Sequence, residues 1–269
     1  ASGALLIRSV APSHEQNAFL DFTAGNYSMA NFSGGFNLSL SDTLAARTTI
    51  FSSERDGYIK VDNLSDEVND RSRWGIRQQF LYEPSDDFSA RVIIDHSEID
   101  EACCAALTLK DSLMASGRTA NGAPVFGTDG ILTALGGTIY RTGSFDNGSL
   151  ALNELPSSEN EDSGISLEIN RSFGNFDFVS VTAFRSFDVR DSVDTDFTNV
   201  SLATRLQDAE QNMWSQEFRI HSNQEERLRY LGGVYFYKQE LESSDFLSLG
   251  NMLPNYVVAA SPDVLGALM

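Results

Sequence analysis

Several things are scarce in this 269-residue chain, and each scarcity removes a class of protein. There are two cysteines, adjacent at Cys103 and Cys104, too few for a disulfide-stapled scaffold. Lys and Arg total 19 against 38 Asp and Glu, a net charge of −19. That balance argues against a nucleic-acid partner, whose phosphates demand basic side chains. The three histidines, His14, His96 and His221, lie far apart, and there is no G-x-S-x-G elbow, H-E-x-x-H pair or phosphate-cradling glycine loop. Catalysis is therefore not expected, and neither is a cofactor. No apolar run approaches the roughly 18 residues that a membrane helix needs. A chain of this kind can cross a bilayer only by strands, because in hydrocarbon only helices and closed barrels satisfy every backbone group.

What the chain does have is alternation. Segments of about ten residues change from apolar to polar at every step, which makes one face of a sheet greasy and the other wet. Tight polar joints at Ser41-Asp42-Thr43, Pro84-Ser85-Asp86-Asp87, Gly174-Asn175 and Asn223-Gln224-Glu225-Glu226 alternate with long polar loops. The loops run over 56–71, 100–164 and 188–212, and another opens after Glu242. Short joints on one side and long ones on the other are the pattern of an outer-membrane β-barrel. The expected fold is all-β: an antiparallel transmembrane barrel, here an incomplete, open, curved sheet of about nine long strands.

The strands read as Asn17–Gly25, Ala30–Leu40, Leu44–Ser53, Arg73–Glu83, Phe88–Ser97, Ile165–Phe173, Phe176–Phe187, Asn212–His221 and Leu228–Leu241. In the second, Phe32, Phe36, Leu38 and Leu40 share a face opposite Asn31, Ser33, Asn37 and Ser39. Period alone does not orient 176–187 or 228–241, which are apolar on both faces in places. Strands of nine to eleven residues suit a tilted crossing of hydrocarbon. Trp74 and Trp214 fall near the outer ends of descending strands, where they suit an interfacial aromatic girdle. A soluble sandwich would bury the same rings in its core, but the arginines recurring opposite them would then be stranded in a dry interior. In the longest loop a short helix is expected near Ala102–Ser116.

Two constellations carry alternatives. Cys103-Cys104 reads as a vicinal disulfide at the base of the long loop, as free thiols, or as part of a soft-metal site for which no nearby histidine speaks. Asp188, Asp191, Asp194 and Asp196 read either as a plain acidic loop or as a weak calcium site, without the spacing of an EF-hand.

Short stretches resemble TonB-dependent outer-membrane receptors, plugged barrels of about 22 strands. Gly3-Ala4-Leu5-Leu6-Ile7-Arg8-Ser9-Val10-Ala11-Pro12 is similar to the last plug strand and its exit, with Leu6 where asparagine is usual. Ala24-Gly25-Asn26-Tyr27 resembles the end of the first barrel strand. Leu40-Ser41-Asp42-Thr43-Leu44-Ala45-Ala46-Arg47, Arg55-Asp56-Gly57-Tyr58 and Asn69-Asp70-Arg71-Ser72-Arg73-Trp74-Gly75-Ile76-Arg77 form the strongest run, and Ser215-Gln216-Glu217-Phe218-Arg219-Ile220 resembles a frequent mid-barrel strand.

The resemblance implies that residues 1–14 end the plug and its linker and that 15–269 begin the barrel, in a piece of a longer protein. It also implies active uptake of a scarce ligand, most often a ferric siderophore and otherwise cobalamin, haem or an oligosaccharide. TonB would be a partner through a segment upstream, with membrane lipid and lipopolysaccharide around the wall. The place implied is the outer membrane of a Gram-negative bacterium. Arg47, Arg73, Arg77, Arg91 and Arg219, with Glu217, would line the lumen and either pair with plug carboxylates or attract an anionic metal chelate. A passive porin or an adhesin on a similar barrel is the rival reading.

Overall fold

The computed structural model describes residues 8–107, 114–118, 124–140, 148–222 and 228–260. Nine strands form one antiparallel sheet in which each neighbour in space is the next long strand in sequence. They are β1 (Asn17–Ala24), β2 (Ala30–Ser41), β3 (Leu44–Arg55), β6 (Arg71–Ser85), β7 (Phe88–Glu101), β11 (Ser157–Ser172), β12 (Phe176–Asp194), β13 (Ala203–Ser222) and β14 (Leu231–Leu249). The sheet is open, with β1 and β14 at its edges. Among the described residues no helix is long and apolar enough to cross a membrane.

The joints at one end are tight because their residues turn cheaply. Between β11 and β12 the chain reverses at Gly174, whose φ of 84° is open to glycine at no steric cost. The fourth expected joint, 223–226, lies outside the described residues. At the other end the connections carry structure of their own. The β3–β6 connection holds β4 (Ile59–Val61) and β5 (Asp66–Val68), and β10 (Ser149–Leu150) joins them in a small three-stranded sheet. The β7–β11 connection also contributes the pair β8 (Met114–Arg118) and β9 (Pro124–Phe126) and helix α1 (Thr128–Ala134). Helix α2 (Leu253–Ala260) follows β14.

The structure corrects several boundaries. The sixth strand begins at Ser157, not Ile165, and the eighth at Ala203, not Asn212, while the seventh runs on to Asp194 and the ninth to Leu249. The loops shrink accordingly to 102–156 and 195–202. The added residues of β11, Ser157-Ser158-Glu159-Asn160-Glu161-Asp162-Ser163, are polar on both faces, so no apolar period marks them. They remain strand because the backbone ladder continues residue by residue from Ser157↔Ser192 to Ser172↔Asp177. The strand extension also moves Trp214 from an end to the middle of β13, although it is still the last aromatic on its face before Asn212 and Glu210. The helix expected near Ala102–Ser116 is absent where the chain is described: 102–107 is irregular and 114–118 is strand. The loop's helix is α1 instead.

Register settles the faces. Phe36, Thr48, Gln78, Ile94, Ile165, Phe184 and Trp214 form one cross-strand row, and Leu38, Ala46, Phe80, Val92, Leu167, Thr182, Gln216 and Phe236 form the next on the same face. Polar side chains within these rows satisfy one another: Thr48 donates to Gln78 Oε1 at 2.6 Å, and Thr182 to Gln216 Oε1 at 2.6 Å. The opposite face is polar. On it Asn37 and Gln79 are each 1% exposed, while on the apolar face Phe36 is 46% and Trp74 42% exposed. This inverts the burial of a soluble protein.

Candidate functional site

The polar face is built from every second residue of β2 to β13. Register places Arg47, Arg73, Arg77, Arg91, Glu217 and Arg219 on it together: Arg47 pairs with Gln79, Arg77 with Asp95, Arg91 with Glu168, and Val179 with Arg219. The face includes partners that the sequence did not single out, namely Asn37, Gln79, Asp95, Glu101, Asp162 and Arg185.

A strap from the N-terminal segment lies across this face. The Ser13 backbone N–H donates to Asn37 Oδ1 at 3.0 Å, and Asn37 Nδ2 donates to the carbonyls of Ser13 (2.7 Å) and Glu15 (2.5 Å). Two strands further on, Gln79 Nε2 donates to the Val10 carbonyl at 3.1 Å, and Arg91 Nη2 donates to Ser9 Oγ at 2.8 Å. Arg91 also donates to Gln79 Oε1, so the two side chains act as one grip. An amide this deeply buried is expensive unless its hydrogen bonds are made, on the order of 1–3 kcal/mol for each unmet group. The strap meets that requirement. Of the expected plug-like stretch 3–12, residues 3–7 lie outside the described residues.

Beyond the strap, charges on the wall neutralise one another across strands. Arg185 Nη2 donates to Asp95 Oδ2 at 2.8 Å, and its Nη1 to Asp162. To reach Asp95, two strands away, the guanidinium lies over Gly164, where an added Cβ would meet Nη2 at 2.7 Å. Arg73 grips Glu101 with two N–H groups, one at 2.9 Å. Arg219 pairs with Glu217 at 3.1 Å, Arg77 stands 3.9 Å from Asp95, and Arg47 reaches Asn17 Oδ1 at 3.4 Å. Apart from Arg77, whose Nε makes no hydrogen bond and only stands at ion-pair distance from Asp95, the arginines thus already have close partners within the wall and the strap.

The end of the sheet carrying the long connections is closed over by two apolar clusters. In the first, Ile59, Val61, Val68, Ala105, Leu150 and Leu152 are buried, with Ala102, Leu107, Tyr140 and Phe197 packed against them. The Tyr140 hydroxyl donates to Asp62 at 2.5 Å, and burial, with Asp62 beside it, pushes its pKa up to about 12. The second gathers Leu132, Val200 and Leu202, with Leu135, Ile139, Met252 and Tyr256 around them, and so joins α1, the 195–202 turn and α2. Cys103 and Cys104 are disulfide-bonded to each other beside the first cluster. With Asp191 and Arg205 they line a cavity of about 220 Å³.

The four aspartates separate. Asp188 and Asp191 lie within β12, on opposite faces, and among the described residues no group of three or more His, Cys, Asp or Glu is arranged to hold a metal. Asp194 and Asp196 do come together, in the turn after β12. Asp194 Oδ1 accepts the N–H groups of Asp196 (3.1 Å) and Phe197 (3.2 Å), and Asp196 Oδ1 accepts that of Thr198 (3.0 Å). Burial, and then Asp196 beside it, pushes Asp194 up to about 7, and burial likewise raises Asp196. Where the strands outrun the apolar rows, the face continuous with those rows carries Glu98, Glu161, Asp188, Glu210 and Glu242 side by side across five strands. These residues line a trough of about 860 Å³.

No protein-family model and no curated protein matches the sequence. Solved structures do match in fold. The ferric yersiniabactin uptake receptor FyuA from Yersinia pestis aligns with a TM-score of 0.67 and 11% identity, over 90% of this chain and 33% of that one. FpvAI, solved in complex with pyocin S2, gives 0.62 and 11%, over 90% and 29%. The siderophore receptor PiuA from Acinetobacter baumannii gives 0.60 and 12%, over 92% and 34%. The chain spans about a third of the length of these receptors, and its open sheet has the fold of that part of their β-barrels.

Proposed function

We propose that the chain is part of a TonB-dependent outer-membrane receptor, comprising the end of the plug (1–14) and the first nine strands of the barrel, and that the whole receptor takes up a ferric siderophore. The observation that carries this reading is the strap held against the polar face by Asn37, Gln79 and Arg91. A polypeptide gripped along the inside of a wide barrel is what a plug and its linker require, and a passive porin has no use for it. The inverted burial supports membrane residence, with lipid and lipopolysaccharide against the aromatic side and water and plug against the arginine side.

The siderophore assignment rests on the fold shared with receptors whose names carry that ligand. Active uptake follows from the plug, because a filled lumen opens only if a second state of the stopper is made accessible. TonB would supply that change through a segment upstream of the strap. The wall arginines are expected to serve the plug and one another, since each already faces an acceptor, and ligand selection then falls to the connections at the outer end.

The test is growth. Deleting the gene should abolish growth on one member of a siderophore panel under iron limitation, and deleting tonB should have the same effect. Loss of growth on cobalamin, haem or an oligosaccharide instead would keep the transporter and replace its ligand. Uptake that persists without TonB would point to a porin.

A further inference from the structure

We infer that the turn after β12 is a calcium site formed by Asp194, Asp196 and the side-chain oxygen of Asn153. Three buried oxygens there have no donor: Asp194 Oδ2, Asp196 Oδ2 and Asn153 Oδ1. Asp194 is 1% exposed, so solvent does not serve it. Buried polar atoms without a partner are rare in folded proteins, and each calls for a cause.

Here the orphans belong to one small region. The Asn153 backbone N–H donates to the Thr198 carbonyl at 3.1 Å, and Thr198 in turn donates to Asp196. All three orphans are acceptors, and two of them belong to adjacent carboxylates. Another acceptor cannot quiet them, a proton shared by the two carboxylates would leave Asn153 Oδ1 unmet, and a water molecule satisfies oxygens without cancelling charge. A cation does both. Carboxylate and amide oxygens with no sulfur or imidazole among them are hard donors, the set that calcium takes, with backbone carbonyls and water completing six to eight ligands. Zinc would want nitrogen or thiolate.

The third oxygen comes from a different connection, which gives the site a role. Asn153 precedes β11, whereas Asp194 ends β12 and Asp196 lies in the turn that follows. Just after Asp196, Phe197 packs on the first apolar cluster, and Val200 and Leu202 sit in the second. A cation at this point pins together two connections that each supply both clusters. The choice of calcium over other hard cations rests on the cell-surface reading above, whereas the orphaned oxygens do not depend on it.

The test uses the full-length receptor in detergent, stripped with EDTA, with calcium alone as the probe. Equilibrium dialysis with radioactive calcium should find one site fewer in Asp196→Asn than in the wild type. Hydrogen exchange across 194–203 should slow about tenfold or more on adding calcium to the wild type only. Asn153→Ala keeps both carboxylates and their N–H bonds and should bind at least tenfold more weakly. It gives the same readout should Asp196→Asn fail to reach the heat-modifiable folded form. Asn153→Asp should bind more tightly than the wild type. Equal stoichiometry in the wild type and both ligand-removing variants, or exchange that ignores calcium, overturns the site. So does an Asn153→Asp variant that merely loosens the turn with calcium present, which would assign the gap to water. None of these readouts requires a transported ligand, so failure of the siderophore assay leaves the result intact.

Discussion

The sheet and the connections that cap it obey opposite rules of burial within one chain. In the cap, Leu152 is 0% exposed and touches other apolar residues, as in any small water-soluble domain. In the sheet, the large apolar side chains point outward, and the amides Asn37 and Gln79 are among the best-buried groups. The cap is held by apolar surface taken from water, the sheet by its hydrogen-bond ladder and by whatever solvent bathes each face. Their stabilities should therefore respond to different mutations.

The sharpest separation is expected from Leu152→Ala. Truncating a fully buried leucine costs about 2–5 kcal/mol, which should loosen the cap locally. Limited proteolysis within 56–70 and 102–156 should accelerate, while the heat-modifiable migration of the full-length barrel stays unchanged. Joint collapse of both would show that the two regions do not stand on separate footings.

A slightly smaller effect is expected in the sheet from Leu167→Arg, with Ile165 and Ile169 on either side of it on the apolar face. An arginine near the middle of the hydrocarbon costs about 2–4 kcal/mol in a barrel. Ser166→Arg, one residue away on the opposite face, should cost under about 1 kcal/mol. Denaturant unfolding in lipid bilayers measures both. Equal costs would mean that lipid does not distinguish the faces.

Gly164→Leu probes the wall's charge pairing and, apart from the Ser166→Arg control, should have the smallest effect, about 1–3 kcal/mol. The new side chain would displace Arg185 from Asp95 and Asp162 without adding charge. Arg185→Ala in the same background should then add little, and a double-mutant cycle with additive losses would disprove the coupling.

The sequence made the sheet legible where lipid and water impose a period of two, and only there. The nine strands, their order and the shared face of six charged residues follow from that alternation and from turn residues such as Gly174. It fails at 157–164 and 203–211, where both faces meet water and nothing distinguishes strand from loop. Arg185 was missed for the opposite reason: Val179, Val181 and Ala183 on its own face are apolar spacers that hide the polar side of β12. The cap was illegible because its clusters join Ile59, Leu107, Leu150 and Phe197 from four separate stretches, and no local pattern announces such contacts. The proposed calcium site was half visible. Asp194 and Asp196 are neighbours in the chain, but Asn153 lies about 40 residues away and enters only through the fold.

The strap is held largely through its own carbonyls and amides: Val10, Ser13 and Glu15 offer backbone atoms, while the hydroxyls of Ser9 and Ser13 and the His14 ring add side-chain contacts. A clasp that reads the thread more than the beads leaves Val10 and Glu15, held only by their carbonyls, free to change their spelling generation after generation. The obligation falls on the three wall residues doing the clasping, so drift at those two positions carries little news about whether the clasp still holds.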